Sequence, residues 1–177
     1  SFRKFFRKKN KNPSSILMFS KKEKIKNLLV YDAINKVLNK NKILAPQLYN
    51  EYYSKNYLEI QDFGKNTIYK ILIKKNSNKF YYFKKIIKTL IRLQSIKDKE
   101  IKNFKKKNYI IPEYNKKILV QEANLFCDWY VKKNLKKKKR LEFISKFKKI
   151  IKYLTLSLKL KNNTFVHRDF HISNLML

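Results

Sequence analysis

The sequence predicts an α+β protein in two lobes, and three observations carry that expectation. Alternating strand patterns cluster before residue 64, whereas apolar residues three and four apart dominate after it. The only glycine, Gly64, stands at the changeover, where a residue without a Cβ permits a sharp turn. Hydrophobic residues make up 44% of the chain and aromatics 15%, enough for a real core and too much for a disordered basic tail. We therefore expect an N-terminal lobe over 1–64, an antiparallel sheet with one helix, and a mainly helical second lobe over 65–177.

Taken in order, Phe2–Arg7 and Ser14–Phe19 read as strands around a polar Asn10–Pro13 turn. Ser20-Lys21-Lys22-Glu23 is a capping-box pattern opening a helix that runs to about Lys40. Its apolar face is Ile25, Leu28, Leu29, Ile34, Val37 and Leu38. After Pro46, Leu48–Tyr53 and Tyr57–Gln61 pair around a Ser54-Lys55-Asn56 turn. Thr67–Lys74 fits either strand or short helix, with helix favoured. Phe80, Phe83, Ile86, Ile87, Leu90 and Ile91 mark a helix to about Ile96. Lys97–Asn108 reads as a charged loop or frayed helix, closed by Pro112-Glu113. Ile118, Leu119, Glu122, Leu125, Phe126, Trp129 and Tyr130 form a stripe at helical spacing. The basic run Lys136–Arg140 reads as the solvated start of a long helix with Ile144, Phe147, Ile151, Leu154 and Leu158 on one face, stopped by Asn162-Asn163.

Charge bounds the partners. Lys+Arg number 45 against 12 Asp+Glu, a formal net charge of +33, which attracts polyanions nonspecifically and in a salt-dependent way. The excess is dispersed Lys; the arginines are Arg3, Arg7, Arg92, Arg140 and Arg168. Lys travels with Asn and Ile throughout, as in genomes poor in G and C. Specific base readout favours bidentate Arg, so no specific nucleic-acid partner is expected, although a basic nucleic-acid-binding module is the rival from another class. One cysteine, Cys127, excludes an internal disulfide and fits a reducing, cytoplasmic compartment. No apolar run approaches the ~18 residues of a membrane span, and no signal peptide is visible, so no membrane partner is expected. The chain starts at Ser1 inside an alternating pattern, and we expect it to be a fragment open at both ends. Oligomeric state leaves no mark in the sequence.

Chemistry concentrates in the last thirteen residues. His167, Asp169 and Asn174 form H-x-D-x-x-x-x-N, the spacing that phosphoryl transfer from ATP requires. An Asp accepts the proton of the attacking hydroxyl, and an Asn carboxamide oxygen a few residues on reaches a metal ion bridging the phosphates. Asp169 is thus the expected general base and Asn174 the expected Mg²⁺ ligand. His167, grouped with the catalytic residues, is expected to pack and hydrogen-bond so as to hold the loop. The apolar flanks Thr164-Phe165-Val166 and Leu175-Met176-Leu177 predict a loop anchored between two short buried strands. The bland alternative is a polar turn with a capping Asp and a surface Asn.

The form His167-Arg168-Asp169-Phe170-His171-x-x-Asn174-Leu175, after a long helix and an Asn-rich turn, resembles the aminoglycoside phosphotransferase and choline kinase superfamily rather than protein kinases. Four further stretches resemble one branch, the bacterial cell-wall amino-sugar kinases, which phosphorylate the anomeric hydroxyl of N-acetylmuramate and N-acetylglucosamine. They are Ser1–Arg7, Ile16-Leu17-Met18, Leu58–Gly64 and Glu122–Tyr130. The resemblance implies a protein-kinase-like two-lobed fold, truncated here after the catalytic loop, that uses ATP and Mg²⁺ on an amino sugar in peptidoglycan recycling. Choline, an aminoglycoside or homoserine are the alternative acceptors. It also implies a hinge at Ile60, Gln61 and Asp62, where backbone groups meet adenine. Glu122, Asp128 and Trp129 become candidates for the sugar, and Arg168 and His171 for phosphate or acceptor. The chain departs from the pattern in three places. No Gly-rich loop is present, so Arg3 and Arg7 of the first strand are the candidate phosphate cover. The strand position of the usual ATP-pairing Lys falls in Ile16–Phe19, which holds none. The second metal-binding Asp of the superfamily would follow Leu177. Residues 1–177 alone are accordingly expected to be inactive, with Leu175–Leu177 an association-prone edge.

Overall fold

Antiparallel pairing organises the first part of the chain. The computed structural model describes residues 3–8, 14–21, 27–75, 77–159 and 164–176. The expected Asn10–Pro13 turn, Lys22, Glu23 and Ile25 of the helix start, and the Asn162-Asn163 stop lie outside them, as do Phe2 and Leu177. Strands β1 (Arg3–Lys8), β2 (Ser15–Ser20), β3 (Leu48–Tyr52) and β4 (Tyr57–Gln61) form one antiparallel sheet in the order β1-β2-β4-β3. Met18 sits opposite Phe5 on one side and Leu58 on the other. Strand alternation therefore puts Ile16, Met18, Leu58 and Ile60 on one face. Helix α1 (Asn27–Lys40) covers that face, with Leu28 packed into the same cluster. A short 3₁₀ turn, Tyr53–Lys55, and Asn56 in the left-handed region (φ 60°) close the β3–β4 hairpin.

The buried stripe of α1 is Leu28, Leu29, Asp32, Ala33, Val37 and Leu38. Asp32 and Ala33 hold the positions expected for Ile34, which is only half-buried, because the i, i+4 row starting at Leu28 runs through Asp32. The acid is tolerated there with Lys36 Nζ 2.8 Å from its Oδ2.

Helices α2 (Ile68–Leu72) and α3 (Lys79–Ser95) follow. Residues 97–110 depart from the charged loop or frayed helix expected over Lys97–Asn108. They hold a hairpin of β5 (Glu100–Lys102) and β6 (Asn108–Ile110), paired antiparallel with Ile101 opposite Tyr109. Its tight loop is built by a buried Asn103, whose Oδ1 accepts hydrogen bonds from the amides of Lys105 (2.9 Å) and Lys107 (3.3 Å). Tertiary contacts override the poor strand propensity of its lysines. Asp98 pairs with Lys40 and accepts from Asn41 Nδ2 at 2.7 Å, Lys105 pairs with Glu51 at 2.7 Å, and Phe104 meets the Tyr53 ring edge-on.

The chain divides into two compact units, Ser1–Ile111 with His167–Leu177, and Pro112–Val166. The second is helical: α4 (Lys116–Phe126), a π-helical turn Cys127–Val131, α5 (Lys132–Asn134) and α6 (Lys137–Ser157). Phe126 packs on Tyr130, Phe143 and Phe147. Cys127 and Val131 are buried here, whereas Trp129, expected on the apolar stripe, is 78% exposed. The departure begins before the turn, since Leu125 and Phe126 of the same expected stripe are already exposed in α4 and the inward side is the one that ends in Cys127 and Val131. On α6 the expected face Ile144, Phe147, Ile151, Leu154 and Leu158 is only half-buried or exposed. Burial pushes the Cys127 thiol up, which makes it an inert packing group rather than a nucleophile. Among the described residues no helix is long and apolar enough to cross a membrane.

Candidate active site

Every helix begins with amide groups that no carbonyl of its own turn can satisfy. In α2 these amides hold the H-x-D-x-x-x-x-N loop. Ile68 N donates to the Leu175 carbonyl (2.8 Å) and Tyr69 N to the Ile172 carbonyl (3.1 Å). Thr67, the residue that caps α2, forms a single antiparallel bridge with Met176. The two flanking strands expected from the apolar residues are absent among the described residues. Phe165 and Val166 are irregular and Met176 makes only that bridge, because the partner offered is a helix terminus rather than a strand edge.

The loop draws its functional side chains together. Asn174 Nδ2 donates to Asp169 Oδ2 at 2.7 Å and to the Asp169 carbonyl at 3.1 Å. His171 Nε2 lies 3.2 Å from Asp169 Oδ1. The Ser173 amide donates to His171 Nδ1 at 3.3 Å, which in the neutral ring leaves the proton on Nε2, facing Asp169. Asn174 N donates to the His171 carbonyl (2.9 Å), closing the turn. The Asp169 side chain remains 71% exposed. Arg168 adopts a left-handed φ of 65°, a conformation that costs free energy outside glycine and concentrates at functional loops. Its positive charge opposes the rise that burial imposes on the Tyr109 hydroxyl, so Arg168 lies on the β6 side of the loop. His167 stacks edge-on with Phe170 at 6.2 Å. Desolvation holds its imidazole below the usual histidine value, with the Asp169 charge pulling the other way.

This arrangement has defined chemistry. An exposed carboxylate oriented from both sides can take up a proton. The Asn174 amide spends its NH₂ on Asp169 and presents Oδ1 as a hard oxygen donor. One carboxylate and one amide oxygen are a donor set for a hard cation that completes its shell with water and phosphate. No cluster of three His, Cys, Asp or Glu exists among the described residues to hold a metal by itself.

At the end of β4 the expected hinge is knotted to β1. Arg7 Nε donates to Asp62 Oδ2 (2.5 Å), and its Nη2 donates to Asp62 Oδ1 (2.9 Å) and to the Gly64 carbonyl (2.5 Å). Ser14 Oγ donates to Asp62 Oδ2 at 2.8 Å and the Gly64 amide to Oδ1 at 2.8 Å. The Asp62 carboxylate is 2% exposed. The Arg7 guanidinium, with these donors behind it, holds that carboxyl well below the usual range. Arg3, the other arginine of β1, stands 5.6 Å over the Tyr31 ring. Ile60 is buried, and Gln61 N donates to the Gln47 carbonyl at 2.8 Å.

In the second unit, Glu122 accepts a hydrogen bond from the Tyr114 hydroxyl, and Asp128 pairs with Lys132 at 2.6 Å. The structure thus joins Asp169, His171 and Asn174 in one cluster and Arg7 with Asp62 in another. Sequence reasoning missed Thr67, Ser14 and Tyr114. A Thr before a short apolar run carried a cap signal; the other two carried none, since their partners are 48 and 8 residues away.

An antiparallel sheet backed by a helix, further helices, and a loop presenting an Asp–Asn pair define a mixed α+β chain. No family model matches it. It is 29% identical to the N-acetylmuramate/N-acetylglucosamine kinase of Pseudomonas aeruginosa over 136 residues, 77% of this chain and 36% of that protein. It is 22% identical to the N-acetylmuramate/N-acetylglucosamine kinase of Neisseria meningitidis serogroup B over 178 aligned positions, 99% of this chain and 50% of that protein. The chain spans half or less of the length of these curated relatives.

Proposed function

We propose that the chain carries the nucleotide-binding and catalytic-loop portion of an ATP- and Mg²⁺-dependent kinase that phosphorylates an amino sugar, N-acetylmuramate or N-acetylglucosamine, in the cytoplasm. One observation carries the reading: Asn174 hydrogen-bonds Asp169 across a loop held by the α2 N-terminus, the juxtaposition phosphoryl transfer needs. The two similar kinases support the acceptor class. In this reading 1–64 and 65–177 are the two lobes of a kinase-like fold.

Asp169 orients the sugar hydroxyl and accepts its proton as the oxygen attacks phosphorus in line. His171 keeps the Asp169 carboxylate turned toward that hydroxyl, and His167 packs against Phe170 to brace the loop. Asn174 Oδ1 is the oxygen that would hold the cation. Magnesium, when bound with the nucleotide, neutralises charge that spreads over the transferring phosphoryl group. The hinge at Ile60–Asp62 offers backbone groups to adenine, and Arg3 of β1 is the residue assigned to phosphate cover. Glu122, Asp128, Trp129 and Arg168 are the residues assigned to the acceptor.

The test is Mg²⁺-ATP-dependent ADP release by the product of the full reading frame, with N-acetylmuramate and N-acetylglucosamine beside choline, an aminoglycoside and homoserine. Turnover on the two amino sugars that needs Asp169 supports the reading. Turnover on choline, aminoglycoside or homoserine alone moves the acceptor to a neighbouring class, and ADP release indifferent to Asp169 overturns the catalytic assignment.

A further inference from the structure

We propose that the side chains of Arg7 and Asp62 are positioning groups that set the nucleotide through the hinge backbone instead of touching it. The inference rests on the kinase reading above and deepens it. Arg7, near the end of β1, Ser14, just before β2, and Asp62, just after β4, come from three separate stretches of the chain. They meet on the sheet face that carries Met18, Leu58 and Ile60. Both Asp62 oxygens are filled: Oδ1 by Arg7 Nη2 and the Gly64 amide, Oδ2 by Arg7 Nε and Ser14 Oγ. Arg7 Nη2 also donates to the Gly64 carbonyl. A carboxylate satisfied from four donors and 2% exposed has no oxygen to give a ligand, and a guanidinium turned inward on it is not phosphate cover.

What the clamp controls is the segment it pins. Asp62 and Gly64 are fixed at one end, with Gly64 in a left-handed φ of 86°. Three residues on, Thr67 bridges Met176, and the next two amides hold the Asp169–Asn174 loop. Residues 62–69 are therefore a short strut with the hinge at one end and the catalytic loop at the other. Fixing its first end fixes where adenine sits relative to the loop that receives the phosphates. Charge-assisted bidentate pairing is suited to the task, because its planar fork allows one geometry.

Arg7→Lys and Asp62→Asn, alone and combined, are compared in the product of the full reading frame. KM for ATP, KM for the sugar and kcat are measured, with thermal melting to confirm folding. Each single change is expected to raise KM for ATP about tenfold, and the double change no further, since both break one unit. KM for the sugar and kcat at saturating ATP stay within about twofold of wild type. An unchanged KM for ATP in folded variants overturns the positioning role alone. So does a loss confined to Arg7→Lys with Asp62→Asn silent, because it makes Arg7 a direct phosphate ligand. A wild-type protein that binds no nucleotide overturns the kinase reading and this role together, while the shared loss of melting temperature in the variants would still report the clamp.

Discussion

Two aspartates in the same unit have opposite surroundings. Asp62 is sealed at the end of the sheet with both oxygens filled and its carboxyl held well below its ordinary value. Asp169 is oriented by Asn174 and His171 yet stays 71% exposed. The difference separates structure from chemistry. A carboxylate that holds a fold is saturated with donors, and its ionisation is spent on the native state. A carboxylate that works as a base must be aimed but left with room for a proton and a substrate.

The sharpest break in this comparison is Asp169→Asn. It is expected to lower turnover by about a hundred- to ten-thousandfold with the melting temperature essentially unchanged, as measured by ADP release and thermal melting on one preparation. A large stability loss instead would place Asp169 with Asp62. Next comes Asn174→Ala, expected to reduce turnover about tenfold to a hundredfold and to raise the Mg²⁺ concentration needed for half-maximal rate. An unshifted Mg²⁺ titration would remove Asn174 from the metal.

Asp62→Asn should act on stability more than on the maximal rate, and its pH dependence fixes the sign. Because the folded-state pKa of Asp62 is depressed, its contribution is fully present above the unfolded carboxylate value of about 4. It fades as pH falls below that value toward the folded one. The gap in melting temperature between wild type and Asp62→Asn is thus expected to be constant near neutrality and to close in acid. A gap that widens in acid would contradict the assignment. The smallest effect is Ser14→Ala, which removes one of the donors to Asp62 and should cost about 1 kcal/mol in denaturant unfolding.

Local patterns were legible where the period of the chain matched its burial. The alternation in Ile16–Met18 and Leu58–Ile60, the helical run from Leu28 to Leu38, and the turn at Gly64 all reappear in the sheet and α1. The β5–β6 hairpin was not legible, because its strands are three residues each, too short to show an alternating period. What holds it is the side chain of Asn103 and the contacts of Asp98 with Lys40 and Asn41, Phe104 with Tyr53 and Lys105 with Glu51, none of which leaves a period. At the candidate site, the spacing of Asp169 and Asn174 was readable, and their mutual contact is what a single loop does with that spacing. The Arg7–Asp62 tie spans 55 residues, and nothing in a single sequence links two such positions. The α2 amides of Ile68 and Tyr69 were hidden for another reason: their contribution is backbone donors, which every residue but proline carries.

The π-helical turn at Cys127–Val131 reaches further than its five residues. A helix that closes one turn with a fifth residue has absorbed an insertion without losing its axis, and everything after it is rotated by about 100°. Cys127 and Val131 stay buried across the turn, while Trp129 stands exposed beside Asp128 and Tyr130 is stacked on Phe126. Removing a single residue from the turn would turn Trp129, Tyr130 and the segment after them by about 100° relative to α4. An aromatic surface here is thus kept by the count of residues, and a one-codon deletion would erase it where many single substitutions would leave it standing.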